Sequence, residues 1–152
     1  QTYTAVNDVV LSKVAPRHVL QLEYKIAGVA VGSMACDGLI VASPAGSTAY
    51  NLSCGGPGVE WGTNVLVLNF IAPHSVAFRP VVLRPDHEIT ARNISHSQHA
   101  DVVVDGDAVA RLSRDEEVRI AAGSTRARLL MTAAGSFYQN VEQKLFDRRD
   151  AC

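Results

Sequence analysis

DGLIVASPAGSTAYNLSCGGP, residues Asp37 to Pro57, changes character twice within a short span, and that change sets how the chain around it is read. Leu39-Ile40-Val41-Ala42 is a continuous apolar run of the kind a buried strand shows, and Ser43-Pro44 stops it. Ala45 to Thr48 then gathers small and hydroxyl side chains around Gly46 ahead of Tyr50, the composition of a tight turn entering a short helix. Gly46 lets backbone come close to a ligand, Ser47 and Thr48 can cap or donate, and the free N–H groups of a helix start attract oxygen atoms. The stretch reads either as a loop for a polar ligand or as an ordinary surface turn, and composition alone leaves both open.

The flanks are short strands. Before the stretch, Ala5 to Leu11 has strand character, interrupted by the amide and carboxylate of Asn7-Asp8. His18 to Tyr24 alternates with the period of a half-exposed strand, and Ile26-Ala27-Gly28-Val29 turns into a further strand, Val29 to Met34, predicting a hairpin. After it, Gly55-Gly56-Pro57-Gly58 must be irregular, and Val65 to Ile71 reads as a buried strand ended by Pro73-His74-Ser75. Val81-Val82-Leu83, Glu88 to Arg92, Asp101 to Asp105, Val109 to Leu112, Glu117 to Ala121 and Ala127 to Met131 continue the series, with turns at Arg84-Pro85-Asp86-His87 and Asp105-Gly106-Asp107 and a polar loop from Asn93 to His99. Many short strands at regular spacing predict a mostly β domain, a sandwich or barrel, rather than an alternating α/β sheet. Besides the short helix start after Gly46, only Phe137 to Arg149 has helical spacing, through Phe137, Val141, Leu145 and Phe146.

At 152 residues the chain is long enough for one domain with a real core, and no repeat or linker divides it. Hydrophobic residues make up 47% and charged residues 19%, which is globular composition. A net charge of -1, with the basic residues scattered, provides no field for nucleic acid or an anionic membrane. The longest apolar run, around Val65 to Ala72, is far short of a membrane span. Cys36, Cys54 and Cys152 match no zinc spacing, and an odd count fits free thiols in a reducing, cytoplasmic setting. The chain begins at Gln1 and runs straight into Val9-Val10-Leu11, as a piece cut from something longer would.

Several chemistries are excluded by spacing. His96 and His99 lack a nearby carboxylate or thiol to complete a metal site, and the five histidines are otherwise spread through loops. Ser47 is not in a G-x-S-x-G elbow, and neither a Walker A loop nor a G-x-G-x-x-G run occurs. What remains is a set of carboxylates and hydroxyls: Asp8, Asp37, Asp105 and Asp107, with Ser47, Thr48, Tyr50 and Ser53. Carboxylates at strand ends accept from ribose hydroxyls or amide NH₂ groups, so the set suits a neutral, hydroxyl-rich ligand. Asp105-Gly106 is also the strongest short signal for a hairpin turn, a position compatible with ligand contact.

Asp37-Gly38, then Ser43-Pro44-Ala45-Gly46-Ser47-Thr48-Ala49-Tyr50, then Gly55-Gly56-Pro57 resembles the signature of the NAD kinases, specifically of their C-terminal NAD-binding domain. Asn7-Asp8 is similar to the family's Asn-Glu or Asn-Asp pair, and Phe78-Arg79-Pro80-Val81-Val82 to its arginine-proline segment. The resemblance covers nearly the whole chain in order. It implies a single multi-stranded β-sandwich domain over residues 1–152, part of a two-domain enzyme that phosphorylates the 2′-hydroxyl of the adenosine ribose of NAD. ATP or polyphosphate would be the donor and a divalent metal such as Mg the cofactor.

By the same resemblance Asn7 and Asp8 hold the adenosine-ribose end or the adenine, and Ala45, Thr48, Ala49, Tyr50 and Ser53 line the adenine and nicotinamide pockets. Asp37 reaches the ligand of a neighbouring subunit in a dimer or tetramer, and Asp105 stands in the later hairpin near the nucleotide. Ala45 replaces the family's usual Thr or Ser, removing a hydroxyl whose bond is worth about 1 kcal/mol. Ala42 replaces a common Ser, and no Gly-Gly-Asp-Gly segment, the source of the family's catalytic base, occurs in these residues. The chain alone is therefore expected to bind NAD weakly and to phosphorylate nothing. Two rival readings are a stand-alone nucleotide-binding or regulatory module and a related lipid kinase, against which the Gly-Ser-Thr-Ala-Tyr segment speaks.

Overall fold

The computed structural model describes residues 1–128, 130 and 136–146. Ten strands follow one another among them: β1 (Asp8–Lys13), β2 (Leu20–Ile26), β3 (Val29–Cys36), β4 (Gly38–Ala42), β5 (Leu66–Ile71), β6 (Val81–Leu83), β7 (Ile89–Asn93), β8 (Ala100–Val104), β9 (Asp107–Leu112) and β10 (Glu117–Ile120). A 3₁₀ turn (Gly46–Thr48) and the one-turn helix α1 (Tyr50–Ser53) follow β4, and α2 spans Phe137–Phe146. The strands form two antiparallel sheets, one six-stranded in the order β6-β5-β4-β1-β8-β9 and one four-stranded in the order β10-β7-β2-β3. The expected β-sandwich is the architecture found.

Strand period explains how each sheet buries a face. Val9 and Leu11 on β1, Leu39 and Val41 on β4, and Leu66, Leu68 and Phe70 on β5 point into a core shared with Leu20 and Leu22 of β2, Ile89 and Ala91 of β7 and Ile120 of β10. Phe70 lies at its centre, edge-on to Tyr24 at 5.3 Å and to Phe78 at 4.9 Å between ring centroids. Each buried Leu, Ile or Phe side chain contributes about 1.5–3 kcal/mol, so the sandwich is held mainly by this single cluster.

Two hairpins close on left-handed residue pairs, which match the twist of the flanking strands. Asp105 (φ 48°) and Gly106 (φ 96°) join β8 to β9, as the Asp-Gly signal predicts. Ala27 (φ 50°) and Gly28 (φ 77°) join β2 to β3, where a Cβ-bearing residue other than Asn or Asp is strained. Ala27→Asn is therefore expected to stabilise the domain by about 1 kcal/mol, raising the thermal midpoint by about 3 °C in a calorimetric scan.

Most strands shift by one to three residues from their predicted bounds, and one prediction fails. Ala127, Arg128 and Leu130 carry no strand, and all three are exposed; Leu129 and Met131 lie outside the described residues. Alternation of Ala, Arg and Leu there matches the period without a neighbouring strand edge to satisfy its backbone. The tail helix is found, its start fixed by reciprocal bonds in which Gln139 N donates to Ser136 Oγ at 3.1 Å and Ser136 N to Gln139 Oε1 at 3.0 Å. Phe137 stands edge-on to Trp61 at 5.6 Å, and the predicted extension over 147–149 lies outside the described residues.

The polar stretch from Asn93 to His99 is more than a loop, because Asn93, Ser95 and Gln98 are buried. Gln98 Nε2 donates to Ala15 O at 2.7 Å and its Oε1 accepts from Ala15 N at 3.1 Å, replacing a strand's pairing with one side-chain amide. Cys36 and Cys54 are free thiols, and burial pushes the Cys36 thiol up to about 12.

Candidate nucleotide cleft

One face of the six-stranded sheet is not used by the sandwich core. Val10, Ile40, Ala42 and Val67 point outward there and meet Cys54, Val59, Ile71 and Val103. The segment from the 3₁₀ turn through α1 to Val59 covers part of this face, fastened by three buried polar side chains. Asn69 on β5 donates from Nδ2 to Asn51 Oδ1 at 3.2 Å and to Cys54 O at 3.3 Å. Asn51 Nδ2 donates to Ser47 O at 2.9 Å and Pro57 O at 3.0 Å, while Ser47 Oγ donates to Pro44 O at 2.7 Å and accepts from Val59 N at 2.8 Å. The amide that interrupts the apolar β5 pattern is thus the peg that docks this cover, and Ser47 is a brace.

A cleft of about 400 Å³ opens at the edge of the cover, within the size range of small-molecule sites. It is lined by Asn7, Asp8, Val10 and Ser12 on and before β1, by Val103, Asp105 and Gly106 of the neighbouring β8 and its turn, and by Ala49 and Tyr50. Of the residues expected to hold a ligand, Asn7, Asp8, Ala49, Tyr50 and Asp105 converge here. Asp37, Ala45, Thr48 and Ser53 do not line it. Asp37 sits at the far end of β4, its Oδ1 paired with Lys13 Nζ at 2.6 Å, and Ser53 is exposed. Val10, Ser12, Val103 and Gly106 line the cleft without having been anticipated. The signal for Val10 and Ser12 was the strand period itself, since they share Asp8's face at i+2 and i+4.

The backbone that presents Asp8 is gripped from both sides. Asp105 Oδ2 accepts from Val6 N at 2.7 Å, and its Oδ1 accepts from Asn7 N at 2.7 Å and Asp8 N at 3.0 Å. On the other side Ser43 N donates to Asn7 O at 2.8 Å and Ser43 Oγ to Val6 O at 2.6 Å. Gly46 is pressed against the same segment: a Cβ there would lie 2.7 Å from Asn7 Cα and closer still to its carbonyl. The expectation that Gly46 admits a ligand is corrected accordingly, because what it admits is the Asn7 backbone, and Gly46 is buried outside the cleft lining.

The two carboxylates of the cleft differ in kind. Burial pushes the Asp105 carboxyl up, but the three backbone N–H groups together outweigh it and leave it below its ordinary value. Asp8 is only 7% exposed, and its carboxylate receives no hydrogen bond from any described residue. Burial first, and the nearby Asp105 charge second, hold its carboxyl above the ordinary value. Its oxygens are not among the fully enclosed unpaired atoms, so the carboxylate faces the cleft as an accessible acceptor. Among the described residues no three His, Cys, Asp or Glu side chains converge on a metal position.

Residues 6–132 match the family model described as the ATP-NAD kinase C-terminal domain. A NAD kinase of Moorella thermoacetica is 40% identical over 146 residues, which are 95% of this chain and 46% of that protein. A NAD kinase of Methanosarcina acetivorans is 32% identical over 142 residues, 93% of this chain and 52% of the relative. Among solved structures, yeast NADH kinase complexed with NADH superposes with a TM-score of 0.71 at 31% identity, covering 76% of this chain and 33% of that one. A NAD kinase from Archaeoglobus fulgidus in complex with ATP gives 0.70 at 31% identity, covering 79% and 46%. The chain spans about half the length of the curated relatives it matches. A two-sheet sandwich, a cleft lined by Asn7, Asp8, Ala49 and Tyr50, and a family-model match over residues 6–132 make this chain a member of the ATP-NAD kinase C-terminal domain family.

Proposed function

We propose that this chain is the NAD-recognising domain of an NAD kinase, which transfers phosphate from ATP or polyphosphate to the 2′-hydroxyl of the adenosine ribose of NAD to give NADP. The observation that carries the reading is the convergence of Asn7, Asp8, Ala49 and Tyr50 on one cleft, with the Asp8 carboxylate accessible from it. A ribose hydroxyl can donate to it, and a hydrogen bond to a charged acceptor is worth about 1.5–3 kcal/mol. Asn7 offers a neighbouring amide, and Ala49 and Tyr50 form a small and an aromatic surface against which a base lies flat. Thr48, Ser53 and Ala45 flank that wall and complete it around the longer reach of a dinucleotide, with Asp105 opposite.

Recognition is the share of the reaction this chain supplies. A divalent ion accompanying ATP would neutralise phosphate charge, but the carboxylates among the described residues do not converge to hold it, and no step is assigned through it. Taken alone, the chain binds NAD and phosphorylates nothing. The free thiols of Cys36 and Cys54 support a cytoplasmic setting, and no helix among the described residues is long and apolar enough to cross a membrane. A homo-oligomer, dimer or tetramer, is supported by the uncharged edge strand β3, where Val29 and Val31 are 66% and 51% exposed, and Asp37 reaches a partner's ligand in that assembly.

Calorimetric titration of NAD into the wild-type and Asp8→Ala proteins tests the reading. The variant is expected to bind about 10- to 100-fold more weakly, the factor that corresponds to the lost bond. Equal affinities overturn the proposal.

A further inference from the structure

We infer that Asp105 is a positioning residue for NAD recognition, acting through the backbone of Val6-Asn7-Asp8, and does not itself bind the nucleotide. This rests on the ribose reading of Asp8 given above. Both Asp105 oxygens are already engaged, Oδ2 by Val6 N and Oδ1 by Asn7 N and Asp8 N, at 2.7 to 3.0 Å. Three successive N–H groups converging on one carboxylate form an anion nest made of chain instead of ligand. The carboxylate comes from a two-residue hairpin turn, Asp105-Gly106, whose left-handed geometry aims the side chain back toward β1; Asp105 N also donates to Asp8 O at 3.1 Å.

The arrangement solves a specific problem. Asp8 is the first residue of β1, and Val6 and Asn7 precede the ladder, so their N–H groups have no strand partner. Strand ends of this kind fray, and a frayed end would let the Asp8 carboxylate swing out to water, away from the burial and the Asp105 charge that disfavour its ionised form. Asp105 fixes the segment from one side, and Ser43 holds the Val6 and Asn7 carbonyls from the other. The clamp thereby keeps an unfavourable buried charge in place before the ligand arrives, which is preorganisation.

A double-mutant cycle in the full-length kinase reads this out through the KM for NAD. Asp8→Ala is expected to raise KM about 50-fold and Asp105→Ala about 20-fold, while the double variant rises no further than Asp8→Ala alone, because the clamp has nothing left to position. Asp105→Asn keeps one acceptor oxygen for Asn7 N and Asp8 N and is expected to cost only about 3-fold. Should Asp105→Ala fail to fold, Asp105→Asn replaces it in the same cycle. Additive effects overturn the inference, since they place Asp105 on the ligand. A lowered melting temperature with unchanged KM overturns it as well, since the residue is then merely structural. Both of these failures leave the Asp8→Ala effect standing, whereas an unchanged KM in Asp8→Ala removes the ribose reading and this inference together.

Discussion

Gly46→Ala is expected to destabilise the domain by about 3 kcal/mol, enough to lower the thermal midpoint by about 10 °C, and to weaken NAD binding in what remains folded. The added methyl meets backbone, the Asn7 Cα at 2.7 Å and its carbonyl closer, so no change of rotamer relieves the overlap. Withdrawal of Asn7 is blocked in turn. Moving it breaks charge-assisted bonds from Asn7 N and Asp8 N to Asp105 and the bond from Ser43 N to Asn7 O. Overpacking of a well-packed site costs about 1–3 kcal/mol by itself, and the coupled loss of these bonds places this case at the upper end. Gly55→Ala is the appropriate comparison, because Gly55 has φ 74° but open space around it, so only the conformational cost of about 1 kcal/mol applies. Urea denaturation of both variants gives the ratio, and a loss under about 1 kcal/mol for Gly46→Ala removes the close approach as the reason for the glycine.

The sandwich was legible because strand period and turn chemistry are local. Leu39 to Ala42, Leu20 to Tyr24 and Asp105-Gly106 each carry their own signal, and the sheets assembled from them as the alternation required. The site was legible only in part. Asn7, Asp8, Ala49, Tyr50 and Asp105 were found by chemistry and by resemblance, and they meet in one cleft. What the residues do to one another was not readable, because it depends on contacts 97 to 99 residues apart in the chain. The amide of Asn69 acquires its use only with the cover it fastens, and Gly46, read as letting backbone come close to a ligand, instead has the Asn7 backbone against it. The strand expected over Ala127 to Met131 is absent at its described residues, Ala127, Arg128 and Leu130, for the opposite reason: the pattern was local, but pairing needs a neighbour.

Asp8→Asn is expected to make the domain more stable at neutral pH and to bind NAD about 10-fold more weakly, two effects with one cause. The Asp8 carboxylate is buried, without a donor among the described residues, and close to the Asp105 charge. Burial first and Asp105 second raise its folded pKa above the unfolded value. The sign follows: ionised Asp8 opposes folding, the penalty is absent below the unfolded pKa, grows as pH rises through the interval up to the folded pKa, and is complete at neutral pH. Asn has nearly the same shape and no charge, so the variant gains stability at neutral pH, and the gain disappears as pH falls through that interval. Asp105 contributes with the opposite sign. Its lowered pKa gives stability that is present above the unfolded value and lost only as pH falls through the folded one, so both proteins weaken in stronger acid. Thermal unfolding followed from neutral to acidic pH should show the variant above wild type, then the two curves converging. NAD binding by wild type should weaken over the interval in which they converge, since the proton that relieves the charge also turns a charged acceptor into a weaker neutral one. Selection for recognition at the expense of folding is the expected signature of a binding residue. A variant less stable than wild type at neutral pH would mean that Asp8 has a stabilising partner in the free protein, and the argument that its carboxylate waits for a ligand would fall with that result.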